Sequence, residues 1–396
     1  MKQTKCYLNA LGMLCAAGGS NSNVQASISA LQPNLTITDV YHNDAPLPIA
    51  LFNGDLPTIP LADKKWQSRN NQFALSALNQ IRAEVETAIK LYGSHRIAVI
   101  IGTSTSGIAE SEEAIKMATL GKGMSKHYDY GLQEMGAPAQ FVAQVLGVSG
   151  PVYGISTACS SGAKALASAR RLIRAGLCDA VIAGGVDTLC KLTVQGFSSL
   201  QAVSKTQCNP FSVNRNGINI GEGAALFLLS CEPQGVELVG TGESSDAHHI
   251  SAPHPEGEGA KRCMNAALAD ASLNPAQINY VNLHGTATEL NDQMESKAMC
   301  SVFGSNTLCS STKPFTGHTL GAAGAVEAGI CWLMLASQQK ETFLPVHLWD
   351  ACQDPALPTI NFVTPKTTLV KDMQYVLSNS FAFGGNNISL ILGRVS

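Results

Sequence analysis

Charged side chains are scarce: Asp, Glu, Lys and Arg make up 14% of the 396 residues, against a usual ~25%. That excludes a disordered chain, which combines low hydrophobicity with high charge. A basic excess is also lacking. The chain has 26 Lys and Arg against 29 Asp and Glu, a net charge of −3, which argues against nucleic acid as a partner. No apolar run reaches the ~18 residues that suggest a transmembrane helix, so no membrane partner is expected. The twelve cysteines contain no Cys-x-x-Cys pair and no Cys/His metal spacing, so no metal is expected. Reduced thiols in the cytoplasm are the expectation, each acting mostly as a small hydrophobe.

What is present is apolar, at 45% of residues, and rich in glycine, with 36 residues. A chain of this length can bury a large core without disulfides. Lys2 and Lys5 ahead of the apolar Cys6–Ala17 run could be read as a signal peptide. Asn9 and Gly12 interrupt that run, and Gly18-Gly19-Ser20-Asn21 reads as a turn into a capped helix. A first buried strand is therefore expected.

Strands then alternate with helices. One long helical pattern spans about Asn71 to Leu91 and precedes a continuous apolar run, Arg96–Gly102. Pro151–Thr157 and Ala180–Gly185 are further such runs, and continuous rather than alternating apolarity suits strands covered on both faces. Between them Ala163–Ala175 is helical and Gly176 ends it. The second half repeats the logic: helix Lys261–Ala271, strand Ile278–Leu283, helix Asp292–Phe303, strand Leu308–Thr312, helix Gly321–Ser337, then a strand pair at Tyr375–Ser378 and Ile388–Leu392. Short strand–helix–strand connections imply parallel pairing. The joint lies near Leu228–Val236, giving halves 1–230 and 231–396.

Cys159 stands apart from the other cysteines. It sits in Gly154-Ile-Ser-Thr-Ala-Cys-Ser-Ser-Gly162, between a strand and a helix. The positive end of the helix favours thiolate there and lowers its pKa. The free amide at the same turn can bind an oxyanion. His284, in Leu283-His-Gly-Thr-Ala-Thr288, and His318, in Phe315-Thr-Gly-His-Thr-Leu-Gly321, both follow expected buried strands. Both can therefore face one crevice at the strand ends. Lys313 follows the same strand as His318 and needs an acidic partner, for which Glu295 and Asp292 are candidates. Gly384-Gly385 after Phe383 is either a hairpin turn requiring positive φ or a backbone amide presented to a ligand with a phenyl gate.

Thr157-Ala-Cys-Ser-Ser-Gly162, His284-Gly-Thr-Ala-Thr288, Lys313 with Gly317-His318, Gly321-Ala-Ala-Gly-Ala-Val-Glu327 and Asn379-Ser-Phe-Ala-Phe-Gly-Gly385 together resemble the β-ketoacyl-acyl-carrier-protein synthases of the Cys-His-His elongating type. The resemblance covers essentially the whole chain. It implies the α/β thiolase fold: two duplicated halves in a five-layer αβαβα sandwich, the first carrying the nucleophile and the second both histidines. It also implies that Cys159 carries the acyl group, that His284 and His318 stabilise an enolate from malonyl carrier protein, and that Lys313 paired with Glu295 organises the site. The amides of Cys159 and Phe383 would form an oxyanion hole, with Gly384 beside it, and Phe383 would act as the gate. Thr286, Thr288 and Phe381 match substrate-binding positions, and no cofactor beyond the phosphopantetheine of the carrier protein is implied.

The implied partners are an acidic acyl carrier protein and either a second copy of the chain or a chain-length-factor-like subunit. Lys64, Lys65 and Arg69, with Lys122 and Lys126, are the local basic clusters offered for docking the carrier. The sequence departs from the family pattern where Ser212 and Asn216 replace two acids and where Ala382 and Asn386 replace a common Gly and Thr. Its Ile218–Gly223 run is similar to synthases of specialised pathways such as aryl polyene synthesis. A degradative thiolase would carry a second cysteine near Phe381–Asn387, and none is there. A non-catalytic chain-length factor would lack the nucleophile.

Overall fold

The computed structural model describes residues 4–42, 45–126, 128–336, 343–367 and 373–395. Among them the strands are β1 Tyr7–Cys15, β2 Thr36–Thr38, β3 Leu47–Ile49, β4 Ile97–Gly102, β5 Val152–Ile155, β6 Ala180–Asp187, β7 Gly223–Ser230, β8 Val236–Ser245, β9 Tyr280–Asn282, β10 Leu308–Ser310, β11 Asn361–Phe362, β12 Tyr375–Ala382 and β13 Asn386–Arg394. β2 and β3 form a small hairpin, and the rest join in the order β11-β10-β9-β12-β13-β8-β1-β7-β6-β4-β5.

That order contains the same pattern twice. Ranked within its half, each set of five runs third-second-fourth-fifth-first: β5-β4-β6-β7-β1, then β10-β9-β12-β13-β8. The pairing directions also repeat, with the second strand parallel to the third and fourth, and the fifth antiparallel to the fourth and first. Among the described residues the two sheets touch edge to edge where Tyr7 and Leu8 meet Glu237 and Val236. This is the duplicated architecture that the family resemblance implies.

Strand periodicity sorts side chains into layers. On β4, Ile97, Val99 and Ile101 face an outer core with Phe73, Leu78, Val85 and Phe141. Ala98 and Ile100 face the central core, which also holds Tyr280, Val376 and Leu390 from the second sheet. The helices Ser161–Arg174 and Ala323–Ala336 fill that central layer. The second is apolar on every side, as a helix enclosed by protein must be, with Glu327 its single charged residue. Small residues let the two helices approach: a Cβ added at Gly162 would lie 2.9 Å from Ala325 Cβ. Helices Glu258–Ala271 and Glu289–Phe303 form the fifth layer.

Local boundaries differ from the expected ones for identifiable reasons. The single helix expected over 71–91 is two, Arg69–Gln80 and Arg82–Tyr92, broken at Ile81 with φ −120°. The Gln80 side chain there donates to the Met13 carbonyl at 3.1 Å, and Ile81 turns into the core. The last central helix begins as a 3₁₀ turn, Leu320–Ala322, and Ser337 lies outside the described residues. Gly176 does end its helix, at φ 68°. The N-terminal segment is the buried strand β1, capped on into helix Asn21–Ser29 by Ser20.

Candidate active site

The duplication brings the chemistry together. Cys159 follows the third strand of the first half and precedes a central helix, and His318 follows the third strand of the second half and precedes the other. Cys159 Sγ lies 3.0 Å from His318 Nε2. Ala158 holds a left-handed φ of 50° to make the sharp turn, and Ser161 Oγ closes it by donating to the Ala158 carbonyl at 2.6 Å. His284 follows β9, its ring edge-on to His318 with centroids 5.4 Å apart. Donor atoms of Cys159, His284 and His318 lie within 4.8 Å of one another, close enough for one substrate to meet all three.

Lys313 is buried behind the histidines, where its ammonium contacts the Glu327 carboxylate and the His284 carbonyl. The same ammonium lies 3.4 Å from His284 Nδ1. An ammonium only donates, so Nδ1 is the acceptor and the ring proton is assigned to Nε2. Burial, reinforced by the Lys313 charge, holds both imidazoles well below the usual histidine pKa, so both are neutral. Neutral His284 thus offers a fixed N–H, and neutral His318 offers an acceptor to the thiol.

Two expectations are corrected here. The Lys313 partner is Glu327, one helix further along, not Glu295 or Asp292. Glu295 instead accepts the amides of His284 at 2.8 Å and Gly285 at 2.7 Å, fixing the turn that presents the imidazole. Asp292 accepts the Phe211 amide at 2.7 Å. Burial pushes both Glu295 and Glu327 up to about 7. Second, the Cys159 thiol is raised overall rather than lowered. Burial pushes it up to about 12 from 9.0, with Lys313 opposing. A helix terminus contributes at most ~2 kcal/mol, about 1.5 pKa units, so burial prevails. The thiol is protonated at rest and needs His318 to take its proton.

A cavity of about 350 Å³ reaches Cys159, His284 and His318. Thr286 and Thr288 line it with hydroxyls 2.8 Å apart. Phe381 packs edge-on to His284 at 6.0 Å. Phe383, 37% exposed, closes against Phe197 with ring centroids 5.5 Å apart. Gly384 takes the hairpin reading at φ 78°, and its amide donates to the Ile250 carbonyl at 2.7 Å. The neighbouring Phe383 amide, first in its 3₁₀ turn, has no acceptor within that turn.

Among the described residues, none of the five basic docking candidates lines this cavity. Lys64, Lys122 and Lys126 are exposed, and Lys64 Nζ donates to the Lys126 carbonyl at 2.7 Å, so the two clusters form one patch. Lys65 lies over the Trp66 ring at 4.6 Å. Arg69 does not belong with them: it is half-buried and paired at 2.6 Å with the fully buried Glu222.

Three groups escaped the sequence reading. Glu327 was signalled by being the sole charge in an apolar helix, where an acid needs a partner. Asp187, fully buried at the end of β6, accepts from Thr103 Oγ1 at 2.6 Å, from Thr105 at 2.9 Å and from the Gly321 amide at 2.6 Å. It thereby ties the first half to the turn just after His318. Asp350 supplies the acid missing at position 212, accepting from Ser212 Oγ at 2.8 Å and Asn214 at 2.9 Å. Asn216, the second departure, accepts from Ser204 Oγ at 2.6 Å.

Comparison with known proteins gives a consistent picture. Residues 64–234 match the N-terminal domain of β-ketoacyl synthase and residues 236–347 its C-terminal domain. The 3-oxoacyl-[acyl-carrier-protein] synthase 2 of Staphylococcus aureus is 34% identical over 352 residues, 83% of this chain and 85% of that one. A chain from the structure of a ketosynthase in complex with its chain length factor, from Xenorhabdus doucetiae, superimposes with TM-score 0.94 at 45% identity, covering 99% of this chain and 98% of that one. A β-ketoacyl synthase from Burkholderia phymatum superimposes with TM-score 0.89 at 27% identity, covering 99% and 100%.

Proposed function

The chain belongs to the β-ketoacyl synthase family, and from that premise we propose that it is an acyltransferase, a 3-oxoacyl-acyl-carrier-protein synthase. It condenses an acyl group held on Cys159 with malonyl carrier protein, with loss of carbon dioxide. The observation that carries this reading is the Cys159–His318 contact of 3.0 Å in a cavity shared with His284. A thiol alone at a helix start is not enough. A thiol facing an acceptor imidazole, beside a second imidazole locked as a donor, provides for both halves of the reaction.

In the first half, His318 Nε2 takes the thiol proton as Sγ attacks the acyl thioester carbonyl. The amides of Cys159 and Phe383 receive the oxyanion. The pantetheine thiolate leaves with that proton, and the acyl group stays on sulfur. In the second half, malonyl carrier protein enters along Thr286 and Thr288. Its carboxylate departs as carbon dioxide, and the electron pair of the broken carbon–carbon bond becomes an enolate. His284, with Nε2–H fixed by Lys313, donates to its oxygen. Once Cys159 is acylated there is no thiol proton to accept, and His318 joins it as the Nε2–H tautomer, with Nδ1, unpartnered among the described residues, as the bare nitrogen. The enolate carbon attacks the Cys159 thioester, and the sulfur leaves as thiolate and takes up one proton from water, the proton that the decarboxylative condensation consumes. Loss of carbon dioxide drives the condensation, so no redox cofactor or metal is called for.

The chain acts as one subunit of a pair, and 45% identity over nearly its whole length to a chain of a ketosynthase–chain length factor assembly supports a chain-length-factor-like partner. The Ile218–Gly223 run supports a specialised pathway such as aryl polyene synthesis. The intact Cys159, His284, His318 and Lys313 set it on the catalytic side of such a pair. Among the described residues no helix is long and apolar enough to cross a membrane. All twelve cysteines are free, which supports a reducing cytoplasmic setting. Incubation with acyl and malonyl carrier proteins should give a 3-oxoacyl product two carbons longer and one carbon dioxide. No product, with the chain alone and with its co-expressed partner, would refute the assignment.

A further inference from the structure

The turn that carries Phe383 is tied to the helix that carries the nucleophile. Ala382 and Asn386 face each other across β12 and β13 and close that turn. Lys164, on the first turn of Ser161–Arg174, donates from Nζ to Asn386 Oδ1 at 3.1 Å. Its side chain is 14% exposed, so water competes weakly for the bond. The same ammonium faces Glu243 on β8 at 3.6 Å. Asn386 is one of the departures noted in the sequence: the threonine common there carries no atom at the Oδ1 position. Among the described residues the turn's backbone bonds, Gly384 N–H to Ile250 at 2.7 Å and Asp246 N–H to Gly385 at 2.9 Å, run to the loop after β8, and its Phe383 ring packs on Phe197; none of these ties reaches the nucleophile helix.

We propose that Lys164 and Asn386 form a latch that holds the Phe383 turn closed over Cys159. They are positioning residues for acyl loading, an assignment that rests on the reading of Cys159 as the acyl acceptor. The closed latch sets the Phe383 turn, and hence its amide, relative to the start of the helix where Cys159 sits. When the turn swings out to admit an acyl chain, Lys164 keeps Glu243 as its partner, so opening leaves no buried charge unpaired. Glu243 is already held at 2.5 Å by Arg171, so it stays in place to receive it.

The test is the rate at which iodoacetamide alkylates Cys159, read by peptide mass spectrometry on the full chain with any partner subunit present. This readout needs no carrier protein. Lys164→Met and Asn386→Ala should each raise the rate about tenfold, from the loss of a hydrogen bond to a charged group. The double variant should be no faster than either single one, and Lys164→Arg should stay within about twofold of the parent. Buried Cys309 is the control, since labelling there would report unfolding rather than an open turn. Unchanged or slower alkylation in both single variants, or multiplying effects in the double variant, would overturn the latch. Failure of the parent to accept an acyl group from carrier protein would instead refute the proposed activity and leave these rates readable.

Discussion

Cys159 and His318 lie on corresponding connections of the two halves and meet across the central layer, Sγ 3.0 Å from Nε2. Each lies between the third strand of its half and the helix that follows, so the duplication itself aims one at the other. The contact assigns different work to the two histidines. His318 touches the thiol, whereas His284 is bound from behind by Lys313.

His318→Ala therefore slows acyl transfer to Cys159 by about 10²–10⁴-fold, the range for losing a general base. His284→Ala leaves that step nearly intact and slows carbon dioxide release from malonyl carrier protein by about 10²–10³-fold. Rapid-quench measurement of both half-reactions checks the division. Equal loss of both steps in both variants would contradict it.

The Lys313–Glu327 pair makes a stability prediction. Lys313→Met leaves Glu327 buried without its cation and costs about 3–5 kcal/mol in urea unfolding. Adding Glu327→Leu recovers most of that stability and none of the activity, because His284 Nδ1 still lacks its donor. A double variant no more stable than Lys313→Met would contradict the pairing.

The buried carboxylates set a pH dependence. Glu295 titrates near 7 in the folded chain against 4.5 when exposed, so the folded state holds the proton more tightly. Its contribution to stability is complete below the unfolded value and is lost as pH rises through about 7. Glu295→Gln should thus gain on the parent as pH rises through that window, measured by chemical denaturation at a series of pH values. A difference that is flat with pH would contradict the assignment.

The sequence makes Cys159, His284 and His318 legible because each lies in a short glycine- and threonine-rich segment directly after an apolar strand. A local pattern was enough to place them at strand ends. The repeated strand order was legible only as an alternation of elements, since β9 and β10 are three residues each and β11 two. Lys313 was legible as a buried cation, but its partner was not. Glu295 and Glu327 are both acids on helices of the second half, and only packing of Ala323–Ala336 between the sheets decides for Glu327. Arg69 misled for the same reason: a basic residue beside two lysines reads as surface until Glu222, far along the chain, is found beneath it.

That difference separates the basic residues by experiment. Lys64, Lys122 and Lys126 reversed to Glu should raise KM for acyl carrier protein and spare a free pantetheine thioester. Arg69→Glu should lower melting temperature and impair both substrates, since it sets a second carboxylate against buried Glu222. Equal loss with both substrates in the lysine variant would remove the patch from docking.

The most direct test is the mass of the intact chain after mixing with a panel of acyl carrier proteins, alone and with its co-expressed partner, for the parent and Cys159→Ala. The account predicts an acyl adduct on the parent only, which disappears when malonyl carrier protein is added as a product two carbons longer forms. No adduct with any donor, or an adduct that persists in Cys159→Ala, would contradict it.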